Sequence, residues 1–117
     1  MEYSLEGIWQ PLYAELGGEE APRMALEKME IELTADGRYA VRFAGLTADH
    51  GTYTLEGEGQ LSLKGVAGPN EGRTIPSLYK FVGEMLSICY GLGGTRPEKF
   101  HTGQDPELYL VNYQRKG

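Results

Sequence analysis

The sequence predicts an all-β fold, an antiparallel up-and-down barrel of about eight strands with one short helix after the first strand. Three observations lead to this prediction. Apolar residues recur at every second position in several short segments, turn residues separate these segments, and the 117 residues include 17 glycines. Because the last strand of a barrel pairs with the first, closure removes both sheet edges. An open two-sheet sandwich is the alternative.

The first predicted strand covers residues 5–15 and carries the only tryptophan, Trp9. In an unbroken strand, Trp9 and Tyr13 lie on the same face. Gly7 allows another backbone to approach the indole, and Pro11, which lacks an N–H, requires an edge, a bulge or a bend. Truncating a buried tryptophan costs ~3–5 kcal/mol. We therefore expect Trp9 to close the floor of the barrel.

The next elements follow from alternation and turn residues. A helix of about two turns is predicted over 21–27, and apolar residues then alternate through 29–33. The tight turn at 35–37 leads into a return strand over 39–43. Residues 44–50 are expected to form a looser connection, and Pro76 predicts a late-starting or edge strand after it. The remaining predicted strands are 51–55, 61–63, 78–82, 85–90 and 108–115.

Length, charge and cysteine content limit the function classes. A chain of 117 residues predicts one domain over 1–117. The net charge of −6 has the wrong sign for nucleic acid or an anionic membrane surface, and no apolar run reaches the ~20 residues of a membrane span. Without a signal-like N-terminus the expected location is cytoplasmic, or exported if a signal was removed. The single Cys89 predicts a buried, inert thiol.

Aromatic side chains are the candidate ligand-binding residues, because several of them share the parity predicted to face the barrel interior. Buried tyrosine hydroxyls need partners, which can be one another, the backbone, water or a ligand. The alternatives are therefore a barrel filled by its own side chains and a barrel with a ligand cavity. Tyr79 and Tyr90 are further candidates. The predicted ligand-binding set is Tyr13, Tyr39, Phe43, Tyr53, Tyr109 and Tyr113.

No metal, cofactor or catalytic residue is predicted. The histidines, His50 and His101, have Asp49 and Asp105 nearby, but neither shows the i, i+2 or i, i+4 spacing that places two ligands on one face. No nucleophile motif of the Gly-x-Ser-x-Gly type occurs.

Three arginines are expected to have structural roles. Arg96 is predicted to fix its own loop through carbonyls or an acidic neighbour. Arg38 and Arg42 alternate with the aromatic face, so they are predicted on the solvated face, in salt bridges to Glu30 and Glu32 that contribute under ~1 kcal/mol each.

A series of motifs also resembles a known family, over nearly the whole chain. In order, these are Gly7-x-Trp9, Asp36-Gly37-Arg38-Tyr39, Gly51-Thr52-Tyr53, the turn at 68–74, Leu86-Ser87-Ile88-Cys89-Tyr90 and Arg96-Pro97-x-x-Phe100. Together they resemble the lipocalin-like, planctomycete-type bacterial domain of unknown function.

The resemblance implies a calycin-style barrel similar to the lipocalins, whose members often carry small apolar molecules, and it implies no reaction. In lipocalins a basic residue near the end of the last strand packs across the first-strand tryptophan. Arg115 is the candidate here, so the resemblance implies structural roles for Gly7, Trp9 and Arg115, with a cation–π stack of Arg115 on Trp9.

Three functions remain open at this point. The first is binding of a small apolar or aromatic molecule inside the barrel, with a mouth near 17–27 and 91–95. The second is an interaction or scaffold module with a filled barrel, which recognises a protein partner or forms a homodimer. The third is an enzyme of the cyclase or isomerase type that uses tyrosine as an acid, which a tyrosine beside a carboxylate in a pocket would favour. The first two, neither of them enzymatic, are favoured.

Overall fold

The computed structural model of the protein describes residues 4–116, and the predicted fold class is confirmed. Eight strands form a closed antiparallel up-and-down barrel in which β1 pairs with both β3 and β9, and the two-residue strand β2 adds to the end of β1. The elements are β1 (Gly7–Leu16), β2 (Glu19–Glu20), α1 (Arg23–Leu26), β3 (Met29–Leu33), β4 (Arg38–Phe43), β5 (Leu46–Gly57), β6 (Gln60–Ala67), β7 (Thr74–Val82), β8 (Met85–Gly91) and β9 (Leu108–Arg115).

Strand β5 is the main departure from the predicted elements. The segment 44–50, predicted as a looser connection, is a tight hairpin followed directly by strand. Ala44 and Gly45 both have positive φ, 53° and 85°, which is the backbone of the two-residue turns that join antiparallel strands. As a consequence, Asp49 and His50 lie within β5 and their side chains point to opposite faces of the barrel wall.

Strand β7 also differs from its prediction. It begins at Thr74, before Pro76, and it pairs with β6 on one side and β8 on the other, so it is not an edge strand. Pro76 is accommodated because the pairing with β8 begins one residue later, at Ser77 and Tyr90. The missing N–H of the proline therefore falls outside that ladder.

We call the end of the barrel that holds Trp9 the lower half and the end that holds Tyr109 the upper half. Trp9 is 1% exposed in the lower half, and its indole N–H donates to the Leu5 carbonyl over 2.9 Å. Its ring centroid is 6.4 Å from that of Phe81. Other side chains that are almost completely buried in the barrel are those of Leu33, Leu61, Leu86, Ile88 and Val111.

Arg115 makes the contact with Trp9 that the resemblance implies. Its guanidinium carbon lies 4.2 Å from the indole centroid, and its Nη1 donates to the Glu6 carbonyl over 2.6 Å. Gly7, with φ of 142°, leaves the room for this group, because a Cβ there would stand 2.3 Å from Nη1. The group that approaches at Gly7 is thus a guanidinium and not the backbone that was expected.

In the connection from β8 to β9, the segment around Arg96 is fixed to strands β5, β6 and β7. Arg96 donates to the Leu61 carbonyl over 3.1 Å and the Ser77 carbonyl over 2.6 Å, and it forms an ion pair with Glu56 at 2.5 Å. This confirms the predicted role of Arg96. Cys89 is a buried free thiol, as predicted, and burial raises its pKa.

The hairpin of β3 and β4 carries the predicted ion pairs in part. Arg42 contacts Glu30 at 2.6 Å and Glu32 at 3.0 Å. Arg38 instead contacts Asp36, its neighbour in the turn, at 3.3 Å. Lys116 adds a second cation to Glu30 at 2.7 Å. Within residues 4–116, no helix has the length and the apolar character needed to cross a membrane.

Candidate ligand-binding site

The barrel interior is not completely filled by side chains. A cavity of about 370 Å³ lies in the upper half, where the β6–β7 and β8–β9 connections contribute Pro69, Asn70 and Leu92 to its wall. Leu92 belongs to the loop predicted at the mouth, whereas α1 contributes no lining residue. Much of the wall is aliphatic: Ile31, Val41, Leu63 and Ile75.

Three tyrosines from β8 and β9 give one side of the cavity a phenolic surface. The rings of Tyr90 and Tyr109 stack with centroids 5.7 Å apart, and the hydroxyls of Tyr90 and Tyr113 are 2.7 Å apart. Burial raises the pKa of both hydroxyl-bonded tyrosines, so they remain neutral phenols at physiological pH. Only one of the two donates in this bond, and the other therefore keeps a hydrogen for a further partner.

A carboxylate, that of Asp49 on β5, lies across the cavity from the phenolic surface. Asp49 is only 9% exposed; its Oδ2 accepts from Asn70 Nδ2 over 2.9 Å and lies 3.4 Å from the Tyr39 hydroxyl. Burial and the negative charge of Asp49 raise the pKa of Tyr39 to about 12, so the phenol acts as a donor. Within residues 4–116, Asp49 Oδ1 is a buried atom with no hydrogen-bond partner.

The cavity brings together only part of the predicted ligand-binding set. Tyr39, Tyr109 and Tyr113 line it, together with Tyr90, which was a further candidate. Tyr13 does not line it, and its predicted inward orientation is wrong, because the inward positions of β1 are those of Pro11 and Ala14.

The orientation of Tyr13 is reversed by a bulge in β1. The register with β9 shifts between Pro11 and Tyr13, and the side-chain alternation shifts with it. Pro11 and Ala14 are buried, while Tyr13 lies beside Glu15 and Glu20, whose charges add to the effect of desolvation in raising its pKa. Pro11 itself predicted a bulge, but the sequence does not say on which side of it the alternation changes.

Phe43 and Tyr53 have the predicted parity but lie beyond the two ends of the cavity. Phe43 is 44% exposed at the tip of the β4–β5 hairpin, opposite Leu46, so the expectation of an interior position for it is wrong. Tyr53 is half-buried and donates to the Thr34 carbonyl over 2.5 Å. Parity gives the face of a strand, whereas the position along the strand decides whether a side chain reaches the cavity.

The histidines and their acidic neighbours do not form a cluster. His50 and His101 are both exposed, whereas Asp49 is buried. In the part of the chain that the structure describes, residues 4–116, no group of three or more His, Cys, Asp or Glu side chains could hold a metal ion.

Sequence reasoning did not place Asp49, Asn70 or Arg73 at the site. For Asp49 a signal existed, because it has the same parity as Gly51 and Tyr53 and would face inward in a longer strand. Asn70 and Arg73 lie in the β6–β7 connection, whose path over the cavity the sequence does not reveal.

Comparison with protein-family models and with curated proteins gives no match. The closed eight-stranded barrel is compatible with a calycin or lipocalin-like fold, and this is the level at which the structure supports the resemblance.

Proposed function

We propose that the protein binds a small apolar or aromatic molecule in the cavity of the upper half. The observation that supports this is a cavity of about 370 Å³ with aliphatic walls and a few polar groups. Small-molecule sites generally occupy roughly 300–1,000 Å³ and have this mixture of surfaces. We also propose membership of the lipocalin-like, planctomycete-type family, on the strength of the sequence motifs.

The polar groups would orient the ligand more than attract it. The stacked rings of Tyr90 and Tyr109 offer an aromatic surface, and the hydroxyl pair of Tyr90 and Tyr113 offers hydrogen bonds. The stacked rings of Tyr90 and Tyr109 are supported from below, because Ile88 and Val111, the next inward-facing pair of β8 and β9 toward Trp9, are fully buried. A site held by strands in this way is preorganised for binding.

Titration with N-phenyl-1-naphthylamine, a neutral apolar fluorophore, tests the proposal. We expect saturable binding with increased fluorophore emission. Val41→Phe adds volume to the cavity wall and should weaken binding about tenfold, which corresponds to about 1.4 kcal/mol. Val66→Phe, the same substitution at an exposed position of β6, is the matched control and should bind like the wild type.

The two variants separate the cavity from the outer surface. Both retain Trp9 as the only tryptophan, so its emission reports in each sample whether the lower half is intact. No saturable binding by the wild type, or equal affinities in the two variants, would contradict a ligand in the cavity. The interaction module with a filled barrel is not proposed, because the upper half holds a cavity.

One observation favours a second candidate, an enzyme that transfers a proton. The Tyr39 hydroxyl lies 3.4 Å from the carboxylate of Asp49 within the cavity wall, so a neutral phenol and a base are adjacent. Exchange of the α-protons of cyclohexanone in D₂O, followed by NMR, tests this candidate. Acceleration by the wild type that is lost in Tyr39→Phe would support it, and no acceleration would exclude this chemistry for that substrate.

A further inference from the structure

We propose that the ligand carries a cationic amine and that Asp49 Oδ1 binds it; this inference rests on the proposed function. The starting observation is the pairing of Asp49. Its Oδ2 has two partners, Asn70 and Tyr39, and both are neutral donors. Its Oδ1 is buried and has no hydrogen-bond partner within residues 4–116. An ionised carboxylate is costly to bury without a counter-charge, so this arrangement calls for a positively charged partner.

Neither of the other charged residues that line the cavity, Arg73 and Glu30, makes a direct contact with Asp49. Arg73 lines the cavity, but its guanidinium donates to the Leu92 carbonyl and, over 3.3 Å, to Asn70 Oδ1. Arg73 thus holds Asn70, which in turn holds Asp49 Oδ2. Glu30 is the other charged lining residue, and it is paired with Arg42 and Lys116. Among the ion pairs of residues 4–116, none includes Asp49.

Gly68, at the start of the β6–β7 connection, packs closely against Asp49 and supplies no hydrogen-bond partner to the unpaired oxygen. A Cβ on Gly68 would stand 3.0 Å from Asp49 Oδ1 and 2.6 Å from the Ala48 carbonyl oxygen, and the residue has φ of 92°. A side chain at this position would therefore crowd the oxygen that lacks a partner. Gly68 precedes Pro69 and Asn70, which line the cavity, so the free oxygen lies where the β6–β7 connection meets the cavity wall.

The rest of the cavity fits an amine that has an apolar or aromatic body. The ammonium group would donate to Asp49 Oδ1, while the body would contact Leu63, Ile75 and the stacked rings of Tyr90 and Tyr109. The net charge of −6 attracts a cation and repels an anion. The neighbouring phenols are neutral at physiological pH, so Asp49 decides which charge the ligand carries.

Three probes that share a 2-phenylethyl group and differ in charge test the inference: 2-phenylethylamine, 2-phenylethanol and 3-phenylpropanoate. Each is measured by displacement of N-phenyl-1-naphthylamine. In the wild type we expect the amine to bind at least tenfold more tightly than the alcohol, and the carboxylate to bind most weakly. In Asp49→Asn the preference for the amine should fall to below threefold, with the affinity for the alcohol nearly unchanged.

Asp36→Asn is the control variant. It removes one negative charge from an exposed turn, so its net charge equals that of Asp49→Asn. It should keep the wild-type preference for the amine. Trp9 emission and thermal unfolding verify that both variants fold.

Each outcome of this experiment supports or contradicts a specific claim. Equal affinities of amine and alcohol in the wild type overturn the inference, whatever the variants do. The same conclusion follows if Asp49→Asn folds and keeps the amine preference. In both cases, binding of the fluorophore leaves the proposed function standing. If the fluorophore does not bind to the wild type, the proposed function itself fails, and the inference that rests on it fails as well.

Discussion

The two halves of the barrel are built from the same strands but differ in how completely they are packed. In the lower half, Trp9 is enclosed by Arg115 on one face and by Phe81, and its N–H has a partner. In the upper half, the same strands surround a cavity, and Asp49 keeps a buried oxygen without a partner among residues 4–116. In the upper half, incomplete packing and incomplete hydrogen bonding therefore occur together. This combination distinguishes a candidate binding site, in the upper half, from a packed core, in the lower half.

Strand β6 shows the difference over two residues. Leu61 and Leu63 have the same side chain and the same parity, and they pair with Ser77 and Ile75 on β7. Leu61 is fully buried and does not line the cavity, whereas Leu63 lines it and is 4% exposed. The contacts of a leucine that already faces a cavity are fewer than those of a leucine surrounded by atoms.

The largest expected effect comes from truncating these two leucines. Leu61→Ala should lower the free energy of unfolding by about 3–4 kcal/mol, because it removes buried methyl groups and creates a new void. Leu63→Ala should lower it by about 2 kcal/mol, because it only enlarges a cavity that exists. Urea unfolding of the wild type and both variants, followed by circular dichroism, measures the difference.

The order of the two values is the decisive result. If Leu63→Ala is as destabilising as Leu61→Ala, the upper half is packed as tightly as the lower half. The cavity would then not exist in solution, and the two halves would not differ in packing.

A smaller effect is expected at the floor of the barrel. Arg115→Gln removes the cation–π stack on Trp9 and the charged donor to the Glu6 carbonyl, so it should destabilise the protein by about 1–2 kcal/mol. The indole should also become more exposed, and its emission should shift to longer wavelength. Thermal unfolding and fluorescence of one sample measure both effects.

The control for this substitution is Arg38→Gln. Arg38 is an exposed turn arginine, so its loss should change the free energy of unfolding by less than about 0.5 kcal/mol. The Arg115 variant should leave the affinity for the fluorophore unchanged, because Arg115 is at the opposite end of the barrel from the cavity. A loss of affinity would show that the two halves are coupled.

The sequence predicted the lower half better than the upper half, for a physical reason. The anchor at Trp9 lies where the register of β1 and β9 is unbroken, from Trp9 opposite Arg115 to Pro11 opposite Tyr113. In the upper half, the bulge after Pro11 turns Tyr13 outward. Alternation is a local rule, and a single inserted residue reverses it for the remainder of the strand.

The sequence also did not predict the site because it does not reveal where β5 begins. The two positive-φ residues of the β4–β5 hairpin include Ala44, and alanine is not a residue type that predicts such a turn. The sequence therefore predicts a strand that starts at residue 51, whereas β5 starts at Leu46 and includes Asp49. The contact of Asp49 with Asn70, 21 residues further on, depends on the barrel closing and has no sequence signal.

The smallest expected effect concerns the ion pairs of Glu30, a residue of β3 that also borders the cavity. Glu30 accepts hydrogen bonds from Lys116 and Arg42, which lower its pKa, and Lys116 is about half exposed. Glu30→Gln should therefore lower the free energy of unfolding by only about 0.5–1 kcal/mol at pH 7.

The pH dependence of this loss follows from the sign of the shift. Because the folded pKa of Glu30 is below its unfolded value of about 4.3, the ionised form favours folding at every pH above that value. The contribution is lost as the pH falls through the lowered folded pKa, so the wild type and Glu30→Gln should converge in acid. Urea unfolding between pH 7 and pH 3 measures this, with Glu84→Gln in the β7–β8 turn as the control. If the difference stays constant over that range, Glu30 stabilises the barrel through packing and not through charge, and the border of the cavity is then held by packing, as the lower half is.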